Sequence, residues 1–446
     1  MSESKFNDRN IDNPVYYHNY TNANSENPYL FVSNSYNGAA GYKDGTYLVP
    51  FDREAWYEKR KALSFYRNYM KGIINSLVDP VFNAPIIRTT DIQITEEFIN
   101  NVDNCGTNLT RFAKEAVLQS RLHGVTFIVM DNFSDIPVVE SDAIKLRRFP
   151  YAYIQPAYTV KSYDNDDFGN IKSITFYGED RVVGKQKQTS DITWTDVSSI
   201  ITYYVDDKPV DVIVKNHNLK TLPVISLYSV LIDKVMVDSP WYDVAKLQLA
   251  LFNKDSELRD QERAQAFSIF YIQTSQKAAN LGIGPHGAII LPVDNNISIT
   301  PGFASPDSGL LDILQKGIEG FITTILESSQ KYGVVGVKQA TSGIAESYKF
   351  FSTNQELKTT ANLGEEFERK LINLFDLYIK KNSNFKTVYT QNYDTYYSKL
   401  TIDDYIKLLS LELPDEVKQA IKKNIISVYL DNYNREDLDR LKNLIK

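Results

Sequence analysis

The fold is decided by the stretch from Ser239 to Leu326, which opens with Ser239-Pro-Trp-Tyr-Asp-Val-Ala-Lys-Leu-Gln-Leu-Ala-Leu251. Ser239 can cap free backbone N–H groups, and Pro240 suits the first helical position, whose N–H has no partner within a helix. Apolar residues then recur at steps of three, four and seven: Trp241, Val244, Leu247, Leu251 and Leu258. The spacing predicts a long amphipathic helix. Its later part, residues 254–263, alternates in charge, which is typical of a solvated face.

A second helix is predicted to begin at Ser305-Pro306-Asp307 and to end before Gly333. Its apolar stripe consists of Leu311, Leu314, Ile318, Phe321, Ile322 and Ile325. Between the helices, short apolar runs separated by Gly, Pro and Asn predict a small β insert over 266–301. A helix, a strand-rich tip and a returning helix form a protruding hairpin. Because such a hairpin buries little surface by itself, we expect its two stripes to be completed by other copies of the chain.

The chain before this hairpin is predicted to be mixed α and β. Residues 1–45 are rich in Asn, Ser, Tyr and Gly without periodicity, which predicts a flexible arm. From Asp52 a helix is predicted that ends at Asp79-Pro80, and its apolar face consists of Trp56, Leu63, Tyr66, Met70, Ile73 and Leu77. The opposite face carries a basic ridge, Arg53, Arg60, Arg67 and Lys71, which is either solvated or faces an acidic neighbour or DNA. Further helix is expected over 95–122, followed by a buried strand at 125–130. Residues 150–230 alternate β-branched runs with turn signals, Asp206-Asp207 among them, which predicts an antiparallel sheet.

After the hairpin the sequence predicts mainly helix. Apolar residues at steps of three and four predict a long helix from Ile344 toward Lys381. A connector or strand rich in Tyr, Asn and Thr follows at 389–397, and two short helices are expected at 402–411 and 415–432. The predicted class is therefore α+β.

The element order resembles that of the portal proteins of tailed bacteriophages, which form the ring at one capsid vertex. The segment 338–346 is similar to the Ser-Gly-Ile-Ala segment that many portals carry after the second stem helix, and residues 56–70 resemble the Tyr/Arg-rich helix near portal N-termini. The resemblance is one of element order and short patterns. It divides the chain into an arm (1–45), an α/β wing (46–236), stem helix 1 (237–266), a β-containing clip (267–304), stem helix 2 (305–332), a tunnel-loop region (333–343), a long wing helix with connector (344–398) and a helical crown (399–446).

The resemblance implies a structural protein of the virion, without catalytic activity, that is assembled in the host bacterial cytoplasm. It implies a dodecameric ring through which double-stranded phage DNA is packaged and ejected. The expected protein partners are the terminase large subunit, the major capsid and scaffolding proteins, and the head-completion or adaptor proteins. Neither cofactor nor metal is expected. Because no run approaches roughly 18 apolar residues, no membrane partner is expected either.

Two groups of residues are the candidate sites in this interpretation. Lys331, Lys338, Gln339, Thr341 and Ser342 lie in or beside the tunnel-loop region, where they would contact DNA phosphates. Ordinary solvation of a loop remains the alternative for these residues. The clip candidates for partner binding are Gly282, Pro285, His286 and Asp294.

Composition and motifs limit the alternatives. The chain has 446 residues and a net charge of −7, which disfavours tight non-specific DNA binding. The single Cys105 and four His residues make disulfide frameworks and zinc sites improbable. Residues 282–287 satisfy G-x-G-x-x-G but lead into a strand rather than a helix, which favours a turn over a dinucleotide site. An enzyme that processes nucleotides or nucleic acids, and another capsid or adaptor protein, remain the alternative functions.

Overall fold

The computed structural model describes residues 27–51, 54, 56–133, 137, 139–217, 219–230, 235–265, 269–274, 288–292, 300–304, 309–330, 343–391, 393, 418–419 and 422. Helices and mainly antiparallel sheets occur together, which confirms the predicted mixed class. The chain divides into two compact units, residues 1–391 and 392–446. The helices predicted at 402–411 and 415–432 lie almost entirely outside the described residues.

The chain between residues 27 and 48 is folded, so the prediction of a flexible arm over 1–45 is wrong for residues 28–45. Helix α1 (Pro28–Asn37) begins with Pro28 in its first turn, and Asn27 caps it by accepting hydrogen bonds from the N–H groups of Tyr29 and Leu30. A short helix α2 (Gly41–Asp44) follows. Large side chains of this segment are buried: Phe31, Val32, Tyr36, Tyr42, Tyr47 and Leu48. Residues 1–26 lie outside the described part of the chain.

The single helix predicted from Asp52 to Pro80 is two helices, α3 (Tyr57–Leu63) and α4 (Tyr69–Asn83). Pro80 does not end α4, because the helix continues for three residues beyond it. Trp56, predicted on the buried face, is 69% exposed. The buried face of α4 itself follows the predicted spacing, with Met70, Ile73 and Leu77 inside.

A small antiparallel sheet lies at the centre of the larger unit. It consists of β2 (Val125–Asp131) between β3 (Tyr151–Pro156) and β10 (Val224–Tyr228). The helices near it are α5 (Gln93–Asn100), α6 (Leu109–His123) and α7 (Glu140–Leu146). Helix α6 ends at Gly124, which has φ 86°, and a Cβ there would lie 2.9 Å from a methyl group of Val237, so only glycine fits. The predicted strand at 125–130 is thus confirmed.

The antiparallel strands predicted over 150–230 are confirmed, but they belong to two sheets: β3 and β10 pair with β2, and the strands between them form a separate six-stranded sheet. Its strands are β4 (Val160–Asn165), β5 (Ile171–Tyr177), β6 (Arg181–Val183), β7 (Gln186–Trp194), β8 (Ser198–Val205) and β9 (Lys208–Asn216). The main order is β4-β5-β7-β8-β9, and β6 pairs with β7. Asp206 and Asp207 both have positive φ, as a two-residue hairpin turn between β8 and β9 requires. Ile174, Phe176 and Trp194 of this sheet pack against β2 in one apolar core.

The long helix predicted from Ile344 is α10 (Gly343–Ile379), and it is followed by β14 (Lys386–Tyr389). Strand β14 pairs with β1 (Ile86–Thr89), so the chain returns to its first third. A buried carboxylate fixes this return. Glu368 accepts hydrogen bonds from Arg88 at 2.8 and 2.5 Å, from Thr387 at 2.8 Å and from Tyr389 at 2.6 Å.

Candidate functional site

The helix pair that the sequence singles out consists of α8 (Tyr242–Gln265) and α9 (Gly309–Gln330), which pack against each other. Between them in sequence lie β11 (Ile269–Thr274), β12 (Ala288–Pro292) and β13 (Gly302–Ala304). These strands form a three-stranded sheet in which β11 is central, parallel to β12 and antiparallel to β13. The predicted succession of helix, small β tip and helix is therefore present.

Helix α8 begins as the sequence indicates. The Ser239 hydroxyl accepts a hydrogen bond from the N–H of Trp241 and donates one to the carbonyl of Leu122 at 2.8 Å. The indole N–H of Trp241 donates to the carbonyl of Arg121 at 3.0 Å. The hydrogen bonds to Leu122 and Arg121 attach the start of α8 to the end of α6.

The apolar stripe of α8 is buried within its own chain except at Leu247, which is half-buried, so the expectation that this stripe needs other copies is wrong. Helices α1, α3 and α4 contact α8 in addition to α9. The buried apolar residues of α8 and its first turn are Trp241, Val244, Ala245, Leu251, Phe252 and Leu258. The physical reason is the ordered N-terminal segment, which the sequence reading had assigned to an arm.

Two buried amides of α8 bind the backbone of that segment. The Gln248 side chain accepts hydrogen bonds from the N–H groups of Tyr69 and Met70, at 2.8 and 3.1 Å, and so satisfies free donors at the start of α4. The Asn253 side chain accepts from the N–H of Val49 at 2.8 Å and donates to the carbonyl of Tyr47. Helix α8 therefore holds residues 47–70 by hydrogen bonds as well as by apolar contacts.

The predicted basic ridge is solvated at Lys71, whereas Arg60 and Arg67 face acidic neighbours, and Arg53 lies outside the described residues. Arg60 is buried and donates to both carboxylate oxygens of Glu54, at 2.6 and 2.7 Å, and to the carbonyl of Val49. Arg67 forms an ion pair of 2.9 Å with Asp255, which is buried in α8. Burial raises the pKa of Asp255, and the charges of Arg67 and Arg259 oppose that shift. The charged run at 254–263 is thus inside at its beginning and exposed only from Arg259 onward.

Within the described part of the chain, helix α9 contacts mainly α8, and one of its faces is buried. Ile318, Ile325 and Ser329 are buried. Four residues of the predicted stripe stay partly exposed on its flanks, Leu311, Leu314, Phe321 and Ile322, and so does Leu326 beside them. Around the helix, Ile313 lies between Phe321 of one flank and Lys316, and it is 67% exposed. Helix α9 is therefore the member of the pair that retains apolar surface for a partner.

The outer face of α9 is acidic. Asp312, Glu319 and Glu327 are exposed on it, and Lys316 is the exposed cation among them. Three carboxylates against one ammonium give this face a net negative charge. Such a face repels a phosphate backbone rather than binding it.

The sequence-predicted site residues cannot be compared with this geometry. Lys331, Lys338, Gln339, Thr341 and Ser342 lie outside the described residues, and so do Gly282, Pro285, His286 and Asp294. The sequence had not singled out the acidic outer face of α9. The helical spacing of Asp312, Lys316, Glu319 and Glu327 was the signal that would have found it.

A cavity of about 750 Å³ lies between α4, α6 and the loop 101–108. Its acidic groups are engaged in structural contacts. Asp79 pairs with Lys114 at 2.9 Å. Burial acts to raise the pKa of Asp103, but hydrogen bonds from the Thr107 side chain and from nearby backbone N–H groups hold it below the usual value. The described parts of the chain contain no group of three or more His, Cys, Asp and Glu residues arranged to hold a metal ion.

Compared with known proteins, the chain matches no family model and no curated protein. None of the helices in the described ranges is long and apolar enough to cross a membrane. The function therefore has to be argued from the helix pair and its surroundings.

Proposed function

We propose that this protein is a subunit of a phage portal ring, a non-enzymatic channel through which DNA enters and leaves the capsid. The observation that carries the proposal is the helix pair with its three-stranded tip, because a stem, clip and stem in this order are what the portal resemblance implies. Helix α8 anchors the pair to the body of the subunit, and α9 is the exposed member.

The charge of α9 supports the role of a channel wall. DNA has to slide through a portal, so a wall that attracted phosphates strongly would hold it in place. The exposed carboxylates of Asp312, Glu319 and Glu327 outnumber the ammonium group of Lys316 on the outer face. In the proposed ring this face points to the axis, and the half-exposed flanks of α9 contact the α9 helices of the neighbouring copies.

Because α8 is covered within its own chain, α9 has to provide the contacts between copies in the stem. Ile313 tests this assignment, since it is 67% exposed on α9 and contributes little to the isolated subunit. We expect Ile313→Ser to reduce ring formation strongly while changing the free energy of unfolding by less than about 0.5 kcal/mol. The matched control is Leu377→Ser, which removes a 53% exposed leucine from α10.

Negative-stain microscopy of the purified full chain, combined with light scattering, tests the proposal directly. We expect rings with a central hole for the wild type and for Leu377→Ser, and few rings for Ile313→Ser. Monomers at every concentration and ionic strength would contradict the proposed function. Rings that form equally well in both variants would contradict the role of α9.

Deleting residues 276–301, which removes β12 from the tip, separates assembly from docking. We expect the deletion variant still to form rings, because α8 and α9 remain, but to lose binding to the terminase motor. The measurement is co-sedimentation of the ring with the motor protein, together with DNA packaging in vitro. Packaging by the deletion variant at the wild-type level would refute the docking role of the tip.

A further inference from the structure

Strand β9 is an open edge of the six-stranded sheet. It pairs with β8 on one side and with no other strand in the described part of the chain. Nine residues long, it presents a row of backbone N–H and C=O groups to its free side. Open edges of this length are sites where a further strand can add by main-chain hydrogen bonds.

The side chains of β9 are apolar on both faces of the strand. Val212 and Val214 are 53% and 58% exposed on one face, and Ile213 is 44% exposed on the other. Lys208 and Pro209, which blunt an edge, stand at its beginning, and the charged residues farther along are Asp211 and Lys215. Because no proline follows Pro209 in the strand, the backbone from Val210 to Asn216 can donate to a further strand.

The sequence of β9 is self-complementary about Ile213. In an antiparallel pair of two copies centred there, Ile213 faces Ile213, Val212 faces Val214, and Asp211 faces Lys215 on both sides of the two-fold axis. Pro209, which cannot donate to a ladder, falls just outside the paired region. A pair centred on Asp211 would instead place the Asp211 carboxylates of the two copies opposite each other.

Asp211 and Lys215 can take part in such pairs without losing their present contacts. Asp211 accepts a hydrogen bond from Arg181 at 2.6 Å, and Lys215 pairs with Asp131 at 2.9 Å and also donates to the carbonyl of Asn132. A carboxylate has about four acceptor positions and an ammonium group has three donors, so each retains capacity for a partner across the interface.

We propose that two copies of this chain form a homodimer through β9, paired antiparallel about Ile213. This dimer goes beyond the proposed ring. A two-fold contact uses the same strand in both copies, so it cannot pass from subunit to subunit around a ring axis. The dimer joins free subunits, and because the interface is small, the association is weak and depends on concentration.

Disulfide crosslinking tests the register. The background is Cys105→Ser, because Cys105 is exposed and would crosslink by itself. In the proposed pair the two Ile213 positions lie about 4.5–5.5 Å apart between Cα atoms, within reach of a disulfide. The two Asp211 positions lie about 13 Å apart along the strands and are out of reach.

Under mild oxidation, we expect Ile213→Cys to form disulfide-linked dimers and Asp211→Cys to form none. The double variant with Asp211→Cys and Lys215→Cys should again crosslink. Equal crosslinking of the two single variants, or none in Ile213→Cys at high protein concentration, would overturn the proposal. A partner other than a second copy would produce that second result.

Sedimentation equilibrium of the full chain tests the affinity independently of cysteine chemistry. The variant with Val212→Lys and Val214→Lys should associate into dimers at least tenfold more weakly than wild type. The matched control is Val182→Lys with Val183→Lys, which places the same charges on exposed valines of β6. Equal dimerisation of both variants would also refute the pairing. Ring formation in the β9 variant with loss of the dimer would leave the proposed function intact.

Discussion

Helices α8 and α9 look alike in sequence, since both begin after a Ser-Pro signal and both carry a long apolar stripe. In the fold they differ. Helix α8 is enclosed by α1, α3, α4 and α9, whereas α9 is covered mainly by α8. The difference shows that an amphipathic pattern specifies a buried face but not which element covers it. One helix of the pair belongs to the core of the subunit, and the other is left for partners.

The largest expected effect on stability comes from removing the large buried side chain at the start of α8. Trp241 is buried and its indole N–H is hydrogen-bonded to Arg121. We expect Trp241→Ala to lower the free energy of unfolding by about 3–5 kcal/mol, because it leaves a large cavity and an unpaired carbonyl. Urea denaturation followed by circular dichroism measures it. Ile318→Ala in α9 should cost less, about 2 kcal/mol, because the side chain is smaller and α9 contacts mainly α8 among the described elements. Equal losses would erase the distinction between the helices.

Acid should loosen the layer that covers α8. His123, at the end of α6, contacts the rings of Tyr29 of α1 and Tyr158. Burial lowers the pKa of His123 to about 4, and backbone contacts with Tyr29 and Gln119 offset only part of that effect. The unfolded chain binds a proton at His123 near pH 6.5, whereas the folded protein binds it only near pH 4. The free energy of unfolding should therefore fall by about 3 kcal/mol as the pH falls from 6.5 to 4.

The variant His123→Phe removes this titration while keeping an aromatic ring against Tyr29 and Tyr158. Thermal unfolding at pH 4.5 and pH 7 should show a smaller difference for the variant than for wild type. An identical pH dependence in both proteins would show that His123 does not titrate in this range.

Gln248 and Gln261 provide a matched pair within α8. The Gln248 side chain is buried and accepts two backbone hydrogen bonds from the start of α4, whereas Gln261 is exposed. We expect Gln248→Ala to cost about 1–3 kcal/mol, because buried donors lose their partner, and Gln261→Ala to cost less than about 0.5 kcal/mol. Chemical denaturation checks both. A neutral Gln248→Ala would mean that α4 does not depend on α8.

The smallest effect on stability is expected on the outer face of α9. Reversing the charge of Glu319 and Glu327 to Lys should change the free energy of unfolding by less than about 0.5 kcal/mol, because both residues are exposed. The same variant should bind double-stranded DNA with a steeper salt dependence than wild type. Gel-shift titrations at two salt concentrations measure it. Unchanged DNA binding would contradict the placement of this face at the channel.

Local patterns predicted individual elements well. The Ser239 cap, the alternating strands of the six-stranded sheet, the Asp206-Asp207 turn and the spacing along α10 all have short-range physical causes. Helix α1 was missed although Asn27-Pro28 is a start signal and Gly38 a stop signal, because the polar composition of residues 1–45 outweighed them. Pro80 was misread as a helix end because a proline disfavours helical backbone at the residue before it, yet α4 continues through Pro80 to Asn83.

Long-range pairing is what the sequence could not supply. Nothing in the spacing of Arg60 and Arg67 indicates that Glu54 and the buried Asp255 neutralise them, since Arg67 and Asp255 are almost two hundred residues apart. The partner of each apolar stripe was equally hidden. In the candidate site, the helical spacing of α9 indicates which residues share its outer face. That this face stays exposed depends on the N-terminal segment, which, among the described residues, packs against α8 rather than α9.

The most direct test of the account is a cryo-electron microscopy reconstruction of the assembled full chain. The account predicts a ring of identical subunits in which α9 lines the central hole, with Glu319 and Glu327 toward the axis and α8 behind it. A particle without a central hole, or a ring in which α9 lies on the outside, would contradict it.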